Sequence, residues 1–357
     1  MREARNAARE GACAPRQFMT SDQPNEQRLE RLREEAWEKG VVAGRGVDVT
    51  GGPIPRKLAT GRVRPTGGPG YYGQPVVKPP VWTWQIPIYF FIGGLSGMSA
   101  VIASAAVLFH HVDLARTAIW LAAIGVILSS ILLIMDLGRP RLFINMLRVF
   151  KHQSAMSMGV WILTFFGACV VPGLIALELH TLHLFAGAMD QLLRIAAALL
   201  IFGSALFGML LATYTGVLIG ATAIPAWFLH RVLLPIHFGT AGLGSAAALL
   251  ELLGHRIAPL NAIGFYAAAV ESALLVWLTI DKHGAADRAI HEHSSGWLIR
   301  IGEILTGPLA LVLRFFSFVP FAAISFLVGA LVSRFGWIAV GKVSGSDPES
   351  VFAAERL

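Results

Sequence analysis

The sequence predicts an all-α fold: a polytopic integral membrane helical bundle of about eight transmembrane helices. Three observations carry that prediction. Apolar residues come in long runs, separated by short polar stretches, from about residue 81 onward. Charged side chains make up 14% of the chain, against roughly 25% in soluble domains. The deficit is concentrated: residues 81–280 hold eight Lys/Arg and six Asp/Glu. In lipid only helices and closed barrels satisfy every backbone group, and the runs lack the period-two alternation of a barrel strand.

Three segments follow. Residues 1–80 form a polar, Gly/Pro/Arg-rich N-terminal tail, expected to be largely irregular apart from a short charged helix over residues 26–39. Residues 81–343 form the bundle, and residues 344–357 a short C-terminal tail. The tail carries fourteen basic and nine acidic residues, so five of the seven net positive charges lie there. The others are loop charges that set orientation, so the basic balance is no nucleic-acid footprint. Cys13 is in the tail and Cys169 in an apolar run, which argues against a disulfide. No C-x-x-C spacing exists, so no iron–sulfur cluster is expected on this chain's own thiolates. The first apolar run starts too late for a signal peptide.

The spans fall at about residues 87–109, 117–135, 157–177, 192–222, 236–253, 260–280, 297–316 and 318–340. Trp82 and Trp84 precede the first, where interfacial aromatics belong. Gly93, Gly94, Gly97, Ser99, Ala100 and Ala103 give it a small-residue seam for close packing. The fourth runs through Tyr214-Thr215-Gly216 without a strong break. The seventh is interrupted by Arg300, Glu303, Pro308 and Arg314. It reads as short or partly interfacial, since a span needs about 20 mostly apolar residues.

Asp136-Leu137-Gly138-Arg139-Pro140 closes the second span. Proline stops the helix, glycine lets the chain leave it, and Asp136 and Arg139 share a face as a candidate ion pair. Two readings stand: a helix stop with a surface pair, or the edge of a pocket or a docking site for a partner. Tyr71 and Tyr72 are aromatic exceptions in the tail, read as loop packing or partner contact. Glu271 and Glu251 lie within apolar runs, where an ionisable group is costly and marks a candidate proton relay. The alternative for both is a hydrogen bond to a neighbouring helix. Glu178 and His180 end the third span on the opposite face and are expected to be solvated. Of the eleven histidines only His237 falls inside a span, so a bis-histidine haem is not expected. No metal-ligand spacing, P-loop or nucleophile motif is present.

YYGQPVVKPPVWTWQIPIYFFIGGLSG, DLGRPRLFINMLRVFKHQSAMSMGVW and TYTGVLIGATAIPAW follow one another in that order. Together they resemble the NrfD-like membrane-anchor family, which includes the polysulfide reductase membrane subunit. The resemblance covers roughly residues 70–340. It implies an eight-helix subunit of the cell's inner or plasma membrane that exchanges electrons with a menaquinone-type quinone and carries no haem. It also implies a ferredoxin-like iron–sulfur subunit as partner, often with a molybdopterin catalytic subunit beyond. Carried over by motif, Tyr89 stands where the family has a quinone-binding histidine, and Tyr214 matches a family tyrosine. The first is a departure: tyrosine keeps a hydrogen-bond donor but loses a group that titrates near neutrality.

Gln85, Trp84 and Tyr89 lie at the tail-side end of the first span. Tyr214 reaches the same end if the fourth is continuous, and Asp136 and Arg139 are there too. These residues form the candidate quinone site. The competing classes are a secondary transporter or proton channel and a non-redox membrane scaffold. With eight spans, the loops on the tail's side and their flanks carry eight cations and the other side four, which puts the N-terminus in the cytoplasm.

Overall fold

The second apolar run begins earlier than its hydropathy suggests, at Val112, and the first helix starts at Gln85, directly behind the interfacial tryptophans. The chain is described by a computed structural model, which covers Val77 and residues 81–137, 143–148, 150–281 and 284–356. Most of the tail, including Cys13, Tyr71 and Tyr72, lies outside the described residues, as do Gly138, Arg139 and Pro140.

Among the described residues, eight helices are long and apolar enough to cross a membrane. They are α1 (Gln85–Leu108), α2 (Val112–Asp136), α3 (Ala155–Thr181), α4 (Ala188–Gly220), α5 (Leu233–Leu252), α6 (Ala258–Ile280), α7 (Ser294–Phe315) and α8 (Val319–Ser346). The expected spans are all present, generally longer than expected because polar ends continue the helix beyond the apolar stretch. The fold is a polytopic helical membrane bundle.

The seventh span is two helices in series, Ser294–Thr306 and Pro308–Phe315. Gly307 joins them with φ −93° and ψ −100°, outside the helical region. Pro308 cannot donate a backbone hydrogen bond, and a residue before proline is pushed out of the helical basin. A Cβ on Gly307 would come within 2.8 Å of the Ser272 nitrogen on α6, so the break is also a point of closest approach between helices.

The spans form two groups joined along α1 and α5, the most buried of the eight. Within α1–α4, α1 packs on α2 and α4, and α3 on α4. Within α5–α8, α7 packs on α8, and α5 on α6 and α8. The α1–α4 crossing is backbone on backbone, because a Cβ on Gly97 would overlap the Gly208 carbonyl. That is the close packing the small-residue seam predicts. Outward faces are apolar: Ile124, Ile127, Leu128 and Ile131 on α2, and Leu192, Ile195, Leu199 and Leu206 on α4, are all exposed.

At the end of the bundle away from Gln85, Glu178 is not simply solvated. It accepts from Arg116 Nε at 2.7 Å, from Arg116 Nη2 at 2.5 Å and from Trp120 Nε1 at 2.7 Å. His180 Nδ1 lies 2.7 Å from Asp190. The C-terminal tail is helical as well, with a short helix, Pro348–Ala354, that buries Val351. Arg288 fixes it by donating to Glu349 at 2.6 Å, a bond that also raises the Arg288 pKa.

Candidate functional site

Five helix ends meet at the tail-side end of the bundle. Tyr89 sits one turn into α1 and is buried. Gly93, one turn further, packs where α1, α2 and α4 meet. A Cβ there would lie 3.6 Å from Ser129 Oγ on α2, 3.8 Å from the Tyr89 ring and 4.0 Å from Leu211 on α4. Ser129 Oγ is buried and has no hydrogen-bond partner among the described residues. The edge of the Tyr89 ring and a hydroxyl without a partner among the described residues thus both neighbour Gly93.

Tyr214 reaches the same end because α4 is continuous to Gly220. Its hydroxyl donates to the Ala155 carbonyl at the start of α3. Its ring lies against Gly159, where any Cβ would overlap it. The SAMSMG stretch, residues 154–159, therefore has a local reason: Ser154 caps α3 by accepting from the Ser157 nitrogen, and Gly159 leaves room for the tyrosine. With its proton given to Ala155, the Tyr214 hydroxyl still has a lone pair to accept with.

Asp136, the last residue of α2, accepts from Thr83 Oγ1 at 3.1 Å, and Thr83 also bonds Gln85. Trp84 is 54% exposed at the rim, while Trp82 is buried and stacks on Trp227 at 5.4 Å. Lys342 of α8 donates to the Trp82 carbonyl at 2.7 Å and lies in the field of Asp136. Tyr89, Tyr214, Gln85, Trp84 and Asp136 are thus brought to one end of the bundle. Lys342 joins them unpredicted, because its α8 turn lies past the apolar run.

A second polar centre lies deep between α5, α6, α7 and α8. His237 Nδ1 is 2.7 Å from Glu271 Oε2, and its Nε2 is 2.9 Å from Ser333 Oγ and 3.4 Å from Glu303 Oε1. Arg334 Nη1 donates to the same Nε2 at 3.1 Å, and Nη2 donates to the Phe238 carbonyl at 3.1 Å. Its guanidinium stacks on the Phe238 ring, 3.7 Å from the centroid. None of the four charged or titratable groups is more than 3% exposed. Because the arginine donates to Nε2, the tautomer that fits is Nδ1–H, neutral, donating to Glu271. One ligand atom each from His237, Glu271 and Glu303 falls within 4.8 Å of the others. A metal ion suits the arrangement poorly, since both histidine nitrogens are engaged and a guanidinium already holds the cationic position.

Glu251 does not join this centre. It accepts from both Nη atoms of Arg314, at 2.8 and 2.7 Å, and Arg314 also donates to Asn261 at 2.9 Å. The pair is 3% and 2% exposed and ties α5 to α7. It fits because Gly264 has no side chain to meet the guanidinium.

A bundle of eight membrane-length helices, with one polar end and one buried ionic centre, defines a polytopic membrane protein with ionisable chemistry in its interior. The chain belongs to the family described as polysulphide reductase, NrfD, which matches residues 74–343. It is similar to the protein NrfD of Escherichia coli (strain K12), with 29% identity over 189 residues, covering 47% of this chain and 58% of that protein.

Proposed function

We propose that this chain is the quinone-reactive membrane-anchor subunit of an oxidoreductase complex, exchanging electrons between a menaquinone-type pool and a peripheral iron–sulfur subunit. The observation that carries the reading is the nearness of Tyr89 and of the Ser129 hydroxyl, which has no partner among the described residues, at Gly93, at the end of the bundle that also holds Tyr214, Gln85 and Asp136. A quinone ring needs a flat apolar slot and polar groups near its two oxygens. Leu211 and the Gly93 face are the apolar surface available to it, and Ser129 and Tyr89 the adjacent polar groups, with Tyr214 at the same end of the bundle. A quinol, when bound, delivers two electrons and two protons. Gln85, Thr83 and Asp136 form the polar chain at the pocket's edge, with Asp136 as its anionic end.

Membership of the NrfD family supports a ferredoxin-like partner, with a molybdopterin catalytic subunit beyond it. Asp136, Gly138, Arg139 and Pro140 would then serve as the pocket edge or the docking surface. Glu271 is the better relay candidate, because its second oxygen is unpartnered among the described residues. The bidentate bond to Arg314 favours a clamping role for Glu251. The tail-side loops hold the larger share of cations, which supports a cytoplasmic N-terminus in the inner or plasma membrane.

Quinone binding to the purified chain is the direct test: saturable binding weakened by Tyr214→Phe supports the reading, and no binding returns the chain to the scaffold class. Labelling Ser154→Cys in intact cells tests orientation. Reaction with a membrane-impermeant thiol reagent would overturn the cytoplasmic assignment.

A further inference from the structure

A carboxylate oxygen of Glu271 on α6 and one of Glu303 on α7 lie within 4.8 Å of each other and of a His237 nitrogen. Each keeps one oxygen, Glu271 Oε1 and Glu303 Oε2, with no donor among the described residues. A carboxylate oxygen held away from water without a donor is costly. Two carboxyls this close can supply that donor only if one of them is protonated.

The surrounding charges give the same count. The groups facing the pair are His237 from α5 and Arg334 from α8, with the Ser333 hydroxyl donating to Glu303 at 3.3 Å. His237 is neutral in the tautomer that its contacts fit, so one cation faces two carboxyls. A single proton on the pair brings the centre to neutrality. Without it, two like charges would sit side by side in low dielectric, which such pairs avoid by titrating as a unit.

We propose that Glu271 and Glu303 together store one exchangeable proton inside the membrane, oriented by His237 and Arg334, and that the store loads and unloads as the quinone pocket turns over. The second half of this proposal rests on the quinone reading above; the first does not. Loading makes one carboxyl O–H bond and unloading breaks it, and no electrons move at the store. The link between the two centres is aromatic. Tyr89 meets Phe90 at 5.6 Å, Phe90 meets Phe238 at 5.9 Å, and Arg334 lies on Phe238. A shift of this wall when the pocket fills moves the guanidinium, and with it the field on the carboxyl pair.

Infrared difference spectroscopy on the purified full chain tests it without any quinone. A protonated buried carboxyl gives a carbonyl stretch, resolved from the amide bands, that moves in D2O. The expected result is such a band at neutral pH, lost in Glu271→Gln and in Glu303→Gln but kept in Glu251→Gln. Glu303→Asp, which retains the carboxyl, should move the band without deleting it, and this assigns the band if the glutamine variants do not fold. No band in the unaltered protein, or a band indifferent to every Glu271 and Glu303 substitution, overturns the store. Adding a reduced quinol should change the band's amplitude. An unchanged band with quinol bound overturns the coupling and leaves the store standing.

Discussion

The two halves of the bundle are built alike and bury different things. Helices α1–α4 bury hydroxyls that bond to nearby backbone: Ser99 to the Leu95 carbonyl at 2.8 Å, Ser204 to Ile201 at 2.7 Å, Thr215 to Ala212 at 3.1 Å. Helices α5–α8 bury His237, Glu251, Glu271, Glu303, Arg314 and Arg334. A hydroxyl bonded within its own helix asks nothing of the neighbouring helix. A buried charge needs a partner, and every partner here comes from another helix. Both halves bring backbones together at glycines, Gly97 on Gly208 in the first and Gly329 on Gly302 in the second, and the second adds buried ionic pairs between helices. The proposed quinone pocket lies in the first half and the proposed proton store in the second.

The largest expected effect comes from breaking a pair in the second half. Arg314→Met leaves Glu251 buried without its cation, and removing one partner of a buried pair costs about 3–5 kcal/mol. Unfolding in detergent should show that loss. Arg314→Met with Glu251→Leu should recover most of it, because the uncompensated charge is gone. A loss in the single variant no greater than in the double one would mean that the pair does not hold α5 to α7.

The matching break in the first half is steric. Gly159→Ala puts a Cβ into the Tyr214 ring, and either α3 or the ring must move. Overpacking of this kind costs about 1–3 kcal/mol. Stability should fall less than in Arg314→Met, but quinone-linked electron transfer should fall with it, because the displaced residue is in the proposed site. Normal transfer in a folded Gly159→Ala protein would separate Tyr214 from the pocket.

The same contrast explains what the sequence made legible. The first half reads well from hydropathy: its runs are clean, and its small-residue seam and Tyr214 stand out by type. The second half reads poorly because the residues that matter count against it. Glu303 and Arg314 made the seventh span look interfacial, yet both are buried and paired. Arg334 lies inside the last apolar run, where hydropathy does not mark it, and His237 stands out from the sequence only as a candidate haem ligand. A lone charge in an apolar run signals a partner without identifying it, because the partner is on another helix. Four consecutive runs each holding a charge, the first of them also holding His237, are the available signal. Gly159 could not be tied to Tyr214 from sequence either, since that contact exists only once α3 and α4 are side by side.

Smaller effects sharpen the first half. Tyr89→Phe and Tyr214→Phe each remove one hydroxyl and leave the ring. A lost hydrogen bond is worth about 0.5–1.5 kcal/mol, or roughly a 2- to 10-fold slowing of quinone-linked transfer. Tyr214→Phe also loses the bond to Ala155, so it should lower stability slightly where Tyr89→Phe does not. Full activity in both variants and in the double variant would move the site away from these tyrosines.

Asp136→Asn is the mildest change and bears most directly on the DLGRP motif. Asparagine keeps the shape and can still accept from Thr83, so the local bond at 3.1 Å should survive. What is lost is a negative charge near Lys342, whose ammonium also donates to the Trp82 carbonyl. As a surface pair this is worth about 0–1 kcal/mol, and stability should hardly change. If the charge serves docking or proton exchange at the pocket's edge, turnover of the assembled complex should drop while quinone binding to the isolated chain stays normal. Repeating the measurement with Lys342→Met separates the two uses. A docking role predicts that the partner's affinity falls only for Asp136→Asn, whereas a role in holding the helix ends together predicts similar losses for both. Unchanged turnover and unchanged assembly in Asp136→Asn would reduce the acid at the end of α2 to a helix stop.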